Sequence, residues 1–116
     1  MTGNDILKIS ASLLGYTDAN GEMEGLKTII NRGSEIINQI GFDLEIPKIS
    51  MLSEKLTLSQ KAEELLIYGV CMLIALNCGD TDKSELFTKL YNMKRAGFKS
   101  KIMTKQNALP FNNGGE

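Results

Sequence analysis

The segment that most constrains this chain runs from Leu65 to Cys78, LLIYGVCMLIALNC, and carries no charge. It is too short, and too interrupted by Gly69, to cross a bilayer, which needs about 20 apolar residues. A helix apolar on nearly all sides must then lie inside a domain with contacts on several faces. Everything else in the 116 residues has to supply that cover. A charge at Leu73 is accordingly expected to unfold the protein.

The flanking segments show helical periodicity. Ile6, Ile9, Leu13 and Leu14 recur at helical spacing, with Thr2 and Asp5 placed as a capping box and Gly15 as a C-cap. Asp18 to Gly21 reads as a turn. Leu26, Ile29, Ile30, Gly33, Ile36, Ile37 and Ile40 form one continuous stripe, in which Gly33 permits close approach of a neighbouring helix; Gly41 falls near its end. Pro47 bars continuation past Ile46. Residues 47–57 form a connector without sustained period, pinned by Ile49, Met51 and Leu52, where a short strand is one option. Thr57 with Gln60, or Ser59 alone, caps the apolar helix, and Gly79 stops it. Asp82 and Glu85 repeat the capping pattern before a last helix whose inward stripe is Leu86, Phe87, Leu90, Tyr91 and Phe98. The expected fold is all-α: a four- to five-helix bundle around a central apolar helix, with residues 1–105 as the domain and 106–116 as a mobile tail.

Charge is unevenly placed. Residues 1–88 hold seven basic and thirteen acidic residues, a net −6; residues 89–105 hold six basic residues and no acid, a net +6. The chain is an acidic body with a basic end. Its cations are Lys89, Lys94, Arg95, Lys99, Lys101 and Lys105. They suit the C-terminal end of a helix dipole, or an electrostatic contact with nucleic acid or an acidic protein surface. Tyr91 and Phe98 are the aromatics available there, and both fit the core stripe, which leaves base stacking without a platform. Unlike charges at the two ends also suit head-to-tail self-association, which closes into a ring or runs on as a filament.

Catalytic signatures are sparse. The chain has no histidine, which removes the commonest general base and metal ligand. No phosphate-cradling glycine loop appears. Asp80 and Asp82 read better as helix caps than as ligands of a divalent cation, and Glu63 and Glu64 as a solvated helix start. Cys71 and Cys78, seven apart on one helix, are too far apart for a disulfide and read as buried thiols suited to a reducing cytosol. No secretory signal pattern is apparent. No cofactor, metal, membrane contact or enzymatic activity is expected.

Two blocks carry a family likeness. GLKTIINRGSEIINQIGFDL, Gly25 to Leu44, and YGVCMLIALNCGDTDKSELFTKLYNMKRA, Tyr68 to Ala96, resemble the small head–tail connector proteins of tailed bacteriophages and prophages, the gene-product-six-like adaptors. The carriers are an Ile-Asn helix with a trailing Asp-Leu, a Tyr-Gly apolar helix, a Gly-Asp turn, and a Phe helix ending in Tyr-Asn-x-Lys-Arg. The resemblance implies an all-α structural adaptor that forms a homo-oligomeric ring between the portal and the tail or head-completion proteins. DNA passes through such a ring. It implies a place in the virion after assembly in the host bacterial cytoplasm. The six cations become candidate subunit or DNA-lumen contacts, and Leu109, Pro110 and Phe111 a candidate docking arm. A small DNA-binding or DNA-packaging-associated protein, or a regulatory helical module, are the rival readings.

Overall fold

A computed structural model describes residues 1–17 and 27–107, with side chains described as far as Phe98. The fold is all-α. Five helices follow in order among the described residues: α1 (Gly3–Leu14), α2 (Lys27–Asn31), α3 (Gly33–Asp43), α4 (Gln60–Asn77) and α5 (Thr81–Asn107). The expected turn at 18–21 and Leu26 lie outside them, as do residues 108–116, which make up most of the expected tail. The helix α5 runs through the expected boundary at 105 to Asn107.

α4 packs against α1, α3 and α5, and α1 also meets α3. Leu66, Val70, Cys71 and Ile74 on α4 are wholly buried. Leu73 is only half-buried and Leu76 is exposed. The uncharged run is therefore not buried all round, and the sensitive position for a charge is Leu66 or Val70 instead of Leu73. At the α1–α4 crossing the Ser10 hydroxyl donates to the Ile67 carbonyl, and the Cys71 thiol donates to the Ser10 carbonyl, each at 3.5 Å. On α1 the buried set is Gly3, Ile6, Leu7, Ser10, Ala11 and Leu14, while Ile9 and Leu13 face outward. Helical spacing alone did not separate these two groups, because both recur every three or four residues.

The helix ends follow from local chemistry. Thr2 and Asp5 form the capping box, and the Ser59 hydroxyl alone accepts from the Ala62 N–H at α4. At α5 the cap is Asp80, whose carboxylate accepts from the Lys83 N–H at 3.3 Å; the expected cap at Asp82 lies two residues too far in, already inside the helix. Helices α1, α3 and α4 all end in the same paired backbone bonds, the six-to-one and five-to-two links of a Schellman motif. Two of these place glycine, Gly15 and Gly79, in the left-handed region. The third places Glu45 there, at φ 60°.

The stripe from Ile29 to Ile40 is not one helix. The backbone leaves helical geometry at Arg32 (φ −103°, ψ 11°), so α2 and α3 meet at a bend. Gly33 supplies the close approach. A Cβ there would lie 2.5 Å from Leu7 Cδ1 of α1. The connector 47–57 forms no strand; its one bridge joins Lys55 to Thr2. It is held by Ile49 and Leu56 in the core and by the Asn38 amide, which donates to the Ile49 carbonyl and accepts from its N–H at 2.8 and 2.9 Å. Met51, expected as a pin, is exposed.

Candidate functional site

The basic end begins on α5. This helix turns Phe87 and Tyr91 into the core, with Leu90 and Phe98 half-buried against it. Leu86, expected in that stripe, is 52% exposed. It belongs to a second stripe, Leu86, Leu90, Met93 and Gly97, whose steps of four, three and four residues follow one helix face. Met93 is 74% exposed. Since α4 is the main helix partner of α5, one stripe is covered and the adjacent one is left largely open.

The cations fall into three groups. Lys89 is exposed. Lys94 forms a 3.0 Å ion pair with Glu64 of α4, which raises the lysine's pKa. Arg95 grips Asp43 at the end of α3 with two nitrogens, Nε on Oδ2 and Nη2 on Oδ1, the latter at 3.0 Å. The guanidinium pKa is raised by that hydrogen-bonded carboxylate. Tyr91 donates its hydroxyl to the same Asp43 at 2.7 Å, and its phenol is held protonated first by burial and then by the carboxylate it bonds. Lys99, Lys101 and Lys105 follow on α5, and their side chains are outside the described residues. Leu109, Pro110 and Phe111 are outside them altogether.

A second anchor joins α1 to the α4–α5 turn. Tyr16 donates to Asp80 at 2.7 Å, and the Lys83 ammonium donates to the Leu14 carbonyl while lying 5.0 Å from the Tyr16 ring centre. The cation thus meets the electronegative end of α1. The hydrogen bond from Tyr16 lowers the Asp80 pKa. Both anchors hold elements together; neither presents a nucleophile beside a base. Cys71 is free, and burial pushes its thiol up to about 12, which leaves it protonated and inert. Cys78 is also free but exposed at the end of α4, contrary to the expectation that both thiols are buried. Among the described residues no three ligand-type side chains converge to hold a metal, and no helix is long and apolar enough to cross a membrane.

Sequence reasoning missed a trough between α1 and α5 whose floor is α4. Two adjoining cavities share Glu64. One, of about 270 Å³, lies among Leu13, Gln60, Glu63, Ile67 and Tyr68. The other, of about 300 Å³, lies among Lys61, Leu65, Met93, Lys94, Gly97 and Phe98. Leu13 on its wall is 54% exposed. The available signal was the doubled stripe on α5, more apolar surface than one neighbouring helix covers.

Comparison with protein-family models, with curated proteins and with solved structures finds no match for this chain.

Proposed function

We propose that this protein is a structural head–tail connector of a tailed phage or prophage. Copies of it form a ring between the portal and the tail or head-completion proteins, and DNA passes through that ring. One observation carries the reading: an all-α module keeps a half-open, largely apolar trough whose two carboxylates are balanced by Lys61 and Lys94, while the sequence of its last helix carries six cations and no acid from residue 89 to 105. Those are two unlike surfaces on one chain, the arrangement from which heterologous contacts build rings. The resemblance of the Gly25–Leu44 and Tyr68–Ala96 blocks to connector sequences supports the same reading. So does the use of the polar clusters at Asp43 and Asp80 as internal anchors, since an adaptor works by docking and performs no turnover.

A second reading, a small DNA-binding or packaging-associated protein, rests on the same six cations. Lys94 and Arg95 already have carboxylate partners within the fold, which takes two of the six away from phosphate contacts. The genes flanking the coding sequence test the choice. Portal, protease and major capsid genes upstream are expected, with closed rings of the purified protein in electron micrographs. A non-viral operon together with strictly monomeric protein would overturn the connector reading.

A further inference from the structure

We infer that the open stripe of α5 is a two-fold surface for a second copy of this chain: in an antiparallel pair of α5 helices, Leu86 of each copy seats over Gly97 of the other. Gly97 starts the argument. Glycine is unfavourable inside a helix, and at the other interior positions close packing accounts for it. A Cβ at Gly33 or Gly69 would lie 2.5 Å from a side chain of a neighbouring helix, and one at Gly41 would lie 3.6 Å from Ile46. A Cβ at Gly97 would meet nothing within 4 Å among the described residues. The residue leaves a gap in the surface of α5 that these helices do not fill. The gap adjoins the cavity of about 300 Å³, where Leu65 is buried and Phe98 half-buried, with Lys61, Glu64 and Lys94 also on the lining.

The spacing of the stripe says what fills the gap. Positions 86, 90, 93 and 97 are separated by four, three and four residues, steps that read the same from either end. Turned end to end, a second α5 brings its Leu86 level with Gly97 and its Leu90 level with Met93, and the two-fold axis repeats both contacts. An isologous interface needs that self-complementarity, and here a bulky end meets an empty one. Alternating steps of three and four also form the seam of helices packed at about 20°. Leu86 and Met93 are 52% and 74% exposed, so both have surface to cover. The seam itself carries no charge. Lys94 beside it is paired with Glu64, and Lys89 on the opposite flank falls about level with Ala96 of the other copy. The contact spans about 16 Å of helix and belongs at the small end of specific interfaces, below about 1,200 Å². The pair is therefore a weak dimer, formed at high concentration. It does not rest on the connector reading, because a two-fold contact closes at two copies and builds no ring by itself.

Sedimentation velocity of the full chain over a wide concentration range tests the pairing. A reversible dimer is expected, and it should persist at high salt, which screens charges but not an apolar seam. Leu86→Ala and Gly97→Leu are each expected to weaken it at least about tenfold, with unchanged circular dichroism. The two changes combined in one chain exchange the filled and the empty position, and dimer formation is expected to return. Should these variants fold poorly, Leu86→Cys together with Gly97→Cys in a Cys78→Ser background decides instead, and a disulfide joining position 86 of one molecule to position 97 of another is the expected product of oxidation. A monomeric wild type, or linkage of 86 to 86, would overturn the pairing. A Gly97→Leu chain that loses thermal stability without any change in association would overturn it too, because the gap would then be covered from within the same chain. Rings unaffected by either single change would overturn the pairing and leave the connector reading standing. A dimer that obeys the exchange but never forms rings would support the pairing and count against the connector reading.

Discussion

Gly69 is where three helices come closest, and replacing it with alanine should show how tightly they are set. A Cβ at this position would lie 2.5 Å from Ile40 Cγ2 of α3 and 2.9 Å from Tyr91 Cε1 of α5. Both contacts are shorter than side chains tolerate. The two neighbours sit on different helices, so a shift of α4 is constrained by both. Ile40 is branched at Cβ and nearly fully buried, and its methyl cannot swing aside within one rotamer. Overpacking of this kind costs about 1–3 kcal/mol, and the upper half of that range fits two blocked directions. Removing glycine from a helix interior returns about 1 kcal/mol. The expected net loss for Gly69→Ala is about 1–2 kcal/mol, a drop in Tm of about 4–8 °C for a domain of this size.

Urea unfolding followed by far-ultraviolet circular dichroism measures it, with an unchanged slope indicating an intact two-state transition. A double-mutant cycle isolates the cause. In an Ile40→Ala background the Gly69→Ala cost should shrink by about 1 kcal/mol or more, because the closest obstacle is gone. Gly33→Ala is the control. Its closest obstacle is Leu7 Cδ1, the end of a side chain that can rotate, and the loss should be smaller than at Gly69. A Gly69→Ala protein at least as stable as the wild type would refute the three-helix contact.

Two further outcomes follow from local geometry. Glu45→Gly should stabilise the protein by about 0.5–1 kcal/mol in the same urea assay, because the Schellman end of α3 holds a non-glycine residue at φ 60°; a loss would mean that the Glu45 side chain contributes more than its strain. Stability should also fall as pH rises above about 9. Cys71, with its pKa moved from 9.0 to about 12, and Tyr91, raised above 10.0, bind their protons more tightly in the folded state. Their stabilising effect is complete below the unfolded pKa values and is lost as pH climbs toward the folded ones. Cys71→Ala should lower stability at neutral pH but flatten the alkaline slope; parallel curves for variant and wild type would refute the assignment.

Most helix ends were legible because a cap is a local event. Thr2 with Asp5, Ser59, Gly15 and Gly79 bond to backbone within a few residues, and no distant group has to agree. The misplaced cap at α5 shows the limit. Asp80 and Asp82 both have the right chemistry, and the choice depended on where the Schellman turn at Gly79 released the chain. The same limit explains the outward-facing Ile9, Leu13 and Leu86. Each lies on an apolar stripe, but a stripe is buried only on the sector where another helix arrives.

The candidate surface was half legible. Its charge was plain, since a block of cations without an acid needs no fold to be seen. Its partners were not. Lys94 with Glu64 and Arg95 with Asp43 are separated by 30 and 52 positions along the chain, and they meet because α5 lies along α4 and reaches the end of α3.

From sequence alone came the class of fold, the order of the elements and the cationic bias of the last helix, because periodicity, capping and composition are properties of neighbouring residues. Which apolar residues stay open, which cations are taken, and that α1 and α5 flank a trough on α4 were decided by helix packing. Those facts depend on residues that sequence places far apart and only tertiary contact brings within reach.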